Sequence, residues 1–467
     1  MAQEEYFYTA MNLEWRGRVY SVPSFNFQRE DRVRALFLFA KGEPIGEEGI
    51  YWLKVHAANC GDFDGISKRP FRERVRWVDD NLELIRSTAE IPVPTFKQWV
   101  EQTAKHPEHK WQGPDKPFLF LSACMELSAA LRAGPSYVAR LPVSFDGSCS
   151  GLQHLSAMTR SPEGCLVNLT PQEVPADIYQ TVADRVKQRI EHDLKSQDKE
   201  KRELAQMCLK HGITRKTVKR NVMTYSYGSE VYGMTEQLRE DLMQPLAKEV
   251  ALGKREEHPF GSGLWASEYL ARQIYGEIEE VIHGPAQAMT FLQKLARSLS
   301  HEGKPLRWKT PVGFPLINRY LKADTKQVKL WLHDRGVRVR YTVKLAIGDR
   351  PQIDKNGAAN GVAPNFVHAL DAAHLLRTVN AAVKEGIVSL ATVHDSFGCL
   401  PSRAARFRRL IREEFVRMYN EHDVLAEVYE QTRADLSDLD AKRMPSGPPQ
   451  KGSLQIEQLL DAEFAFA

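Results

Sequence analysis

The chain has 467 residues, 42% of them hydrophobic, enough to bury a substantial multi-part core. Its 64 Lys and Arg against 60 Asp and Glu leave a net charge of only +4, which excludes a uniformly basic nucleic-acid binder; an anionic ligand must meet local clusters. No apolar run approaches the ~18 residues of a membrane span, the acidic start MAQEEYFYTA has neither an apolar signal core nor an Arg-rich presequence, and six cysteines without CxxC spacing point to reduced thiols rather than disulfides or zinc.

In chain order, the first chemistry-bearing segment is NLEWRGRVYSVPSFN, where Arg16 and Arg18 lie between Trp15 and Tyr20. Charge interleaved with rings suits nucleic-acid contact by stacking plus electrostatics; the alternative is an ordinary basic surface. Residues 72–89 and 175–210 read as amphipathic helices with charged faces. Between them, the apolar run Leu141 to Phe145 reads as a short buried strand that delivers Asp146 to a turn at Gly147. Gly147, Ser148, Ser150 and Gly151 are small and leave room for a hydrated cation and phosphate oxygens. Cys149, in the same turn, reads as small-residue packing rather than a nucleophile.

The segment TRKTVKRNVMTYSYGS follows. In a helix a step of four residues advances about 6 Å and turns only ~40°. Arg215, Lys219, Met223 and Tyr227 would then share one stripe that ends where Gly228 breaks the helix. A solvated basic helix is the plain reading. Two cations followed by an apolar side chain and a ring can instead grip a triphosphate and probe the attached nucleoside. Breaks near 252–263, 350–364 and 444–452 read as loops. KQVKLWLHDRGVRVRYTVKL alternates about an Asp334-Arg335-Gly336 turn and predicts a β-hairpin. Gln327, Lys329 and Leu330 lie on one strand, and Arg338 and Arg340 share a face of the other. Finally, IVSLATVHDSFGCLP carries His394 and Asp395 along a strand into a turn. Asp146 and Asp395 together suit a shared metal site. Magnesium takes few carboxylates plus waters and substrate phosphates. Two such ions about 3.5–4 Å apart can stabilise both attacking and leaving oxygens of an in-line phosphoryl displacement.

The order DGSCSGLQH, then R-x3-K-x7-YG, then HDSFG resembles motifs A, B and C of the single-subunit DNA-dependent RNA polymerases of bacteriophages and mitochondria, nearest the phage branch of the T-seven type. KGEPIGEEGIYWLKVHAANC, APNFVHALDAAHL and the terminal EFAFA also resemble family segments in family order, so the likeness covers the chain from Met11 to Ala467. The resemblance implies an α+β, mainly helical right-hand polymerase fold. Its palm, with an antiparallel sheet, would comprise residues 1–162 (motif A) and 369–467 (motif C and a C-terminal foot). Inserted helical fingers would span 163–368, with the motif B helix and a specificity-loop hairpin at about 317–346.

The same resemblance implies that rNTPs are added to an RNA 3′ end on a DNA template, with two Mg2+ ions on Asp146, Asp395 and the Gly147 carbonyl. Arg215, Lys219 and Lys68 would hold the triphosphate, Lys219 either protonating the departing pyrophosphate or stabilising its charge. Tyr227 would select ribose, and Met223 would pack near the base. His368, His394 and Tyr179 match further active-site positions, and Arg16, Arg18 and Tyr20 match template and early-product contacts. Gln327, Lys329, Arg338 and Arg340 would reach promoter base edges in the major groove. The alternatives are a His394 that satisfies hydrogen bonds beside Asp395, a Tyr179 that packs a helix, and solvated hairpin charges.

A-family DNA polymerases share the R-x3-K-x7-YG spacing. Gly151, however, stands where that family places a glutamate against the 2′-hydroxyl, and Ser396 stands where its His-Asp-Glu ends. Ribonucleotides are therefore favoured. The remaining alternative is a non-catalytic nucleic-acid-binding subunit of a split polymerase. Family members carry several hundred residues ahead of the WRGRVY segment, an N-terminal domain and a thumb. The expectation is a truncated or split phage enzyme in the cytoplasm of an infected bacterial host, with weak processivity alone and an N-terminal polymerase fragment supplied in trans.

Overall fold

Alternation along three short strands sets the centre of the first of two compact units. In the computed structural model, which describes residues 6–106, 111–334, 337–437 and 442–467, this unit comprises Met1–Thr181, His368–His422 and Gly452–Ala467. Strand Val143–Asp146 buries Val143 and Phe145 and leaves Asp146 exposed, as a half-buried strand must. It pairs antiparallel with Ser396–Cys399, which pairs in turn with Leu390–Val393. The register sets Phe397 opposite Phe145 and Ser396 opposite Asp146. Phe145 meets Trp52 edge-on with centroids 5.4 Å apart, and Phe397 meets His374 at 5.3 Å and Phe466 at 6.0 Å. Helices Gly46–Gly61, Pro117–Ala133, Ser150–Thr159 and Ala404–Glu421 supply most of the surrounding core.

The C-terminal residues are stitched to the strand that carries Asp146. Gly147 bridges Phe466, and Ala467 N donates to the Asp146 carbonyl at 3.2 Å. Gln153 Nε2 donates to the Ala465 carbonyl at 2.9 Å, and the buried Arg408 donates to the Phe466 carbonyl at 2.9 Å.

The second unit comprises Val182–Val367 and Asp423–Lys451. Helices Leu264–Val281 and His283–His301 bury long apolar faces within it. A hairpin of Leu321–Asp334 and Val337–Ile353 realises the alternating pattern, pairing Gln327 with Lys344, Lys329 with Thr342 and Trp331 with Arg340. The expected turn at Arg335-Gly336 lies outside the described residues. Residues Pro315–Asn318 belong instead to a separate two-stranded sheet with Leu306–Lys309.

Two local expectations are corrected. The segment 72–89 is two helices, Phe71–Asp80 and Leu82–Glu90; Asn81 leaves helical geometry and its Nδ2 donates to the Trp77 carbonyl at 2.7 Å. Residues 355–364 are no loop, because one helix runs Lys355–Lys384 with Pro364 inside it. Its glycine serves close approach, not disorder: a Cβ on Gly361 would lie 2.3 Å from the Tyr320 hydroxyl. Buried Ala358, Ala359, Val362, Ala363 and Phe366 outweigh the local breaker signal. Asn318 Nδ2 donates to the Ala358 carbonyl at 2.9 Å, tying the helix to the preceding sheet. Among the described residues no helix is long and apolar enough to cross a membrane.

Candidate functional site

The first unit places Asp146 and Asp395 at adjoining strand ends. Asp395 lies in the tight connection between Val393 and Ser396, and Ser396 is the direct partner of Asp146. Gly147 N donates to the Asp395 carbonyl at 3.4 Å, closing the two turns on each other. His394 adopts a left-handed backbone, φ +56°, which is uncommon outside glycine. Its Nδ1 is buried without a hydrogen-bond partner among the described residues, so the reading that His394 merely satisfies local hydrogen bonds finds no support at that atom. Burial, and then the charges of Arg18 and Arg16, hold its pKa down at about 4.

The carboxyl of Asp395 is pushed up to about 7, first by burial and then by the neighbouring charges of Asp371 and Asp146. Crowded carboxylates out of water disfavour ionisation of one another. Such a site gains from a divalent cation, and its hard oxygen donors suit magnesium. Asp146, Asp395 and the Gly147 backbone thus fit the group the sequence implied, although among the described residues no cluster of three His, Cys, Asp or Glu side chains forms.

The basic-aromatic arm docks onto helix Lys355–Lys384 beyond residue 367. Met11–Leu13 and Val19–Ser21 pair antiparallel, with Asn12 opposite Tyr20. Arg16 Nη1 lies 2.8 Å from His368 Nδ1. A guanidinium only donates, so Nδ1 accepts and the neutral ring carries its proton on Nε2. Burial, then Arg18 and Arg16, hold His368 neutral with a pKa of about 3. Arg18 donates through Nε at 3.1 Å and also through Nη2 to Asp371 Oδ2. The Tyr20 ring meets the His394 ring at 4.7 Å. Tyr179 lies in the first turn of helix Ile178–Asp193 and acts against the burial that pushes the Cys149 thiol up to about 11. Lys68 is exposed at the end of a short 3-10 segment, Phe63–Lys68, next to a cavity of about 450 Å3 lined by Ile66, Arg72, Glu73, Arg76, Trp77 and Asp80.

In the second unit, helix Arg215–Tyr225 begins at Thr214, whose backbone and hydroxyl form a capping box with the Thr217 hydroxyl. Val218, Asn221, Val222 and Tyr225 are buried, and Asn221 Nδ2 donates to the Met234 carbonyl at 3.2 Å. This fixes the opposite stripe outward: Lys219 and Met223 are exposed and Arg215 half-buried. Arg220 is neutralised by Glu240 at 3.0 Å and Asp241 at 2.8 Å, whereas Lys219 has no ion-pair partner among the described residues.

Tyr227 lies beyond the end of the helix. The α-helix ends at Tyr225, and tighter turns follow: Tyr227 N bonds the Thr224 carbonyl at 3.0 Å and Gly228 N bonds the Tyr225 carbonyl at 2.8 Å. Gly228 has φ +79°, and a Cβ there would lie 3.0 Å from the Asn360 carbonyl. That carbonyl lies four residues before Pro364, which has no N–H to offer it.

On the hairpin, Gln327, Lys329, Trp331, Arg338, Arg340, Thr342 and Lys344 share one face by register, and Leu330 lies on the other. Arg338 sits 4.5 Å and Arg340 5.9 Å from the Trp331 ring centre. Sequence reasoning missed Asp371 and Trp331. The available signals were the three-residue step from His368 to Asp371 on one helix face and the cross-strand position of Trp331.

Residues 43–446 match the family model described as DNA-dependent RNA polymerase. The chain is 36% identical to the DNA-directed RNA polymerase of Enterobacteria phage T3 and to T7 RNA polymerase of Escherichia phage T7, over 98% of this chain and 53% of each relative. It is 32% identical to the mitochondrial DNA-directed RNA polymerase of Homo sapiens, over 100% of this chain and 36% of that protein. The chain thus spans about half the length of the phage relatives it matches.

Proposed function

The chain belongs to the DNA-dependent RNA polymerase family, and from that premise we propose that it carries the catalytic portion of a phage-type enzyme that adds rNTPs to an RNA 3′ end on a DNA template. The observation that carries this reading is the pairing of Asp146 and Asp395 at adjoining strand ends, with Asp395 buried and crowded by further negative charge. Residues 1–162 and 369–467 act as the palm, and 163–368 as the fingers. Two Mg2+ ions, held by Asp146, Asp395 and the Gly147 carbonyl, supply charge stabilisation to the attacking and leaving oxygens when bound.

The chain's own residues do the rest. Lys219 and Arg215 bind the triphosphate, and Lys68 adds a third cation. Lys219 is exposed and has no carboxylate partner among the described residues, so it is available to the departing pyrophosphate. Met223 packs against the base. Tyr227, held past the helix end by Gly228, meets the ribose. His368 presents an Nε2–H donor to the template–product duplex, and Arg16, Arg18 and Tyr20 hold template and early product. His394 and Tyr179 complete the substrate side. On the hairpin, Gln327, Lys329, Arg338 and Arg340 form the face that meets promoter DNA, stiffened by Trp331. The chain acts in the cytoplasm of an infected bacterium.

Sugar choice tests the reading. Competing rNTP and dNTP incorporation should favour rNTPs, and Tyr227→Phe should reduce that preference while leaving extension measurable. A preference for dNTPs by the unaltered chain would transfer the assignment to a DNA polymerase.

A further inference from the structure

Asp371 is a carboxylate of 2% exposure beside the metal-binding pair, yet it belongs to no ligand cluster among the described residues. It follows His368 by three residues on helix Lys355–Lys384, so both side chains face the arm that bears Arg16 and Arg18. The arm engages the helix by two rungs: Arg16 to His368 at 2.8 Å, and Arg18 to Asp371 through Nε at 3.1 Å and through Nη2. Arg18 and Asp371 are both largely withdrawn from water, with side-chain exposures of 12% and 3%.

A buried guanidinium takes whichever carboxylate offers the better hydrogen bonds. Asp395 lies within electrostatic reach of both partners, because Asp371 and Arg18 act on its carboxyl in opposite senses. Tyr20, two residues on from Arg18, packs its ring 4.7 Å from that of His394, the neighbour of Asp395, so the arm that carries Arg18 borders the paired aspartates.

We propose that Asp371 is a positioning residue that tethers the Arg18 guanidinium to the helix and so reserves Asp146 and Asp395 for divalent cations. This rests on the reading that those two aspartates hold the metal. Without Asp371, Arg18 turns onto Asp395 and competes with the metal. A simple field effect makes a different prediction, since loss of one negative charge would weaken metal binding equally whatever residue stands at position 18.

Mn2+ binding to the full chain, followed by electron paramagnetic resonance without nucleotide, separates these through a double-mutant cycle. Asp371→Asn should weaken Mn2+ binding by about tenfold. In the Arg18→Gln background the same substitution should have little effect. Asp371→Glu, which keeps a carboxylate able to reach Arg18, should recover most of the affinity and guards against a variant that only misfolds. An equal loss in both backgrounds, or no loss in either, would overturn the tether. Failure of the unaltered chain to bind Mn2+, or binding indifferent to Asp395→Ala, would overturn the metal-site reading and the tether with it.

Discussion

Replacing Asp395 by Asn should stabilise the protein at pH 8 in the presence of EDTA while abolishing its response to Mg2+. The structure sets the sign. Burial first, then the charges of Asp371 and Asp146, raise this carboxyl from an ordinary 3.8 to about 7. Between those values the folded state holds a proton that the unfolded chain has released. Stability is therefore highest below the unfolded value and falls as pH rises to about 7, beyond which the full penalty applies. Raising the carboxyl from 3.8 to about 7 corresponds to a cost on the order of 4 kcal/mol, an upper bound because Asn remains buried and needs its own hydrogen bonds. Paired urea melts at pH 5, 6, 7 and 8 would show the Asn variant gaining on the native protein by about 1–4 kcal/mol across that range. Added Mg2+ should then stabilise the native protein and leave the variant unmoved. A difference independent of pH, or an Asn variant less stable at pH 8, would refute the claim that crowding and burial strain this carboxylate.

Gly228→Ala should lower stability by about 1–2 kcal/mol in thermal melts, because φ +79° and the Asn360 carbonyl at 3.0 Å both oppose a Cβ. Tyr419→Phe removes the 2.7 Å partner of the buried His154 Nδ1 and should cost ~1–3 kcal/mol in urea unfolding, with no new pH dependence between 6 and 8. Lys219→Ala should reduce kcat/KM for rNTPs by about 10²–10³ while leaving the affinity for an RNA–DNA duplex unchanged; equal losses in both would make it a nucleic-acid contact.

The strand ends that carry Asp146 and Asp395 were legible because their alternation is short and clean: Val143 and Phe145 inside, Asp146 out, and a turn at His394-Asp395. The long hairpin was legible for the same reason. Helix Arg215–Tyr225 was legible in its spacing but not in its end, since only the tightened turns before Gly228 show that the helix stops two residues short of Tyr227. Helix Lys355–Lys384 was hidden, because Gly357, Gly361 and Pro364 carry a local breaker signal that buried alanines and Tyr320 override from elsewhere in the chain. Asp371 was passed over because its three-residue step from His368 does not by itself separate a buried partner of Arg18 from a solvated helix carboxylate.

Metal-dependent ribonucleotide transfer through Asp146 and Asp395 can be read by rapid quench, as addition of one nucleotide to an RNA primer on a DNA template by the purified chain with Mg2+. Templated rNTP addition should disappear in both Asp146→Ala and Asp395→Ala. Addition that persists in either variant, or no addition by a chain that binds Mg2+, rNTP and duplex normally, would contradict it.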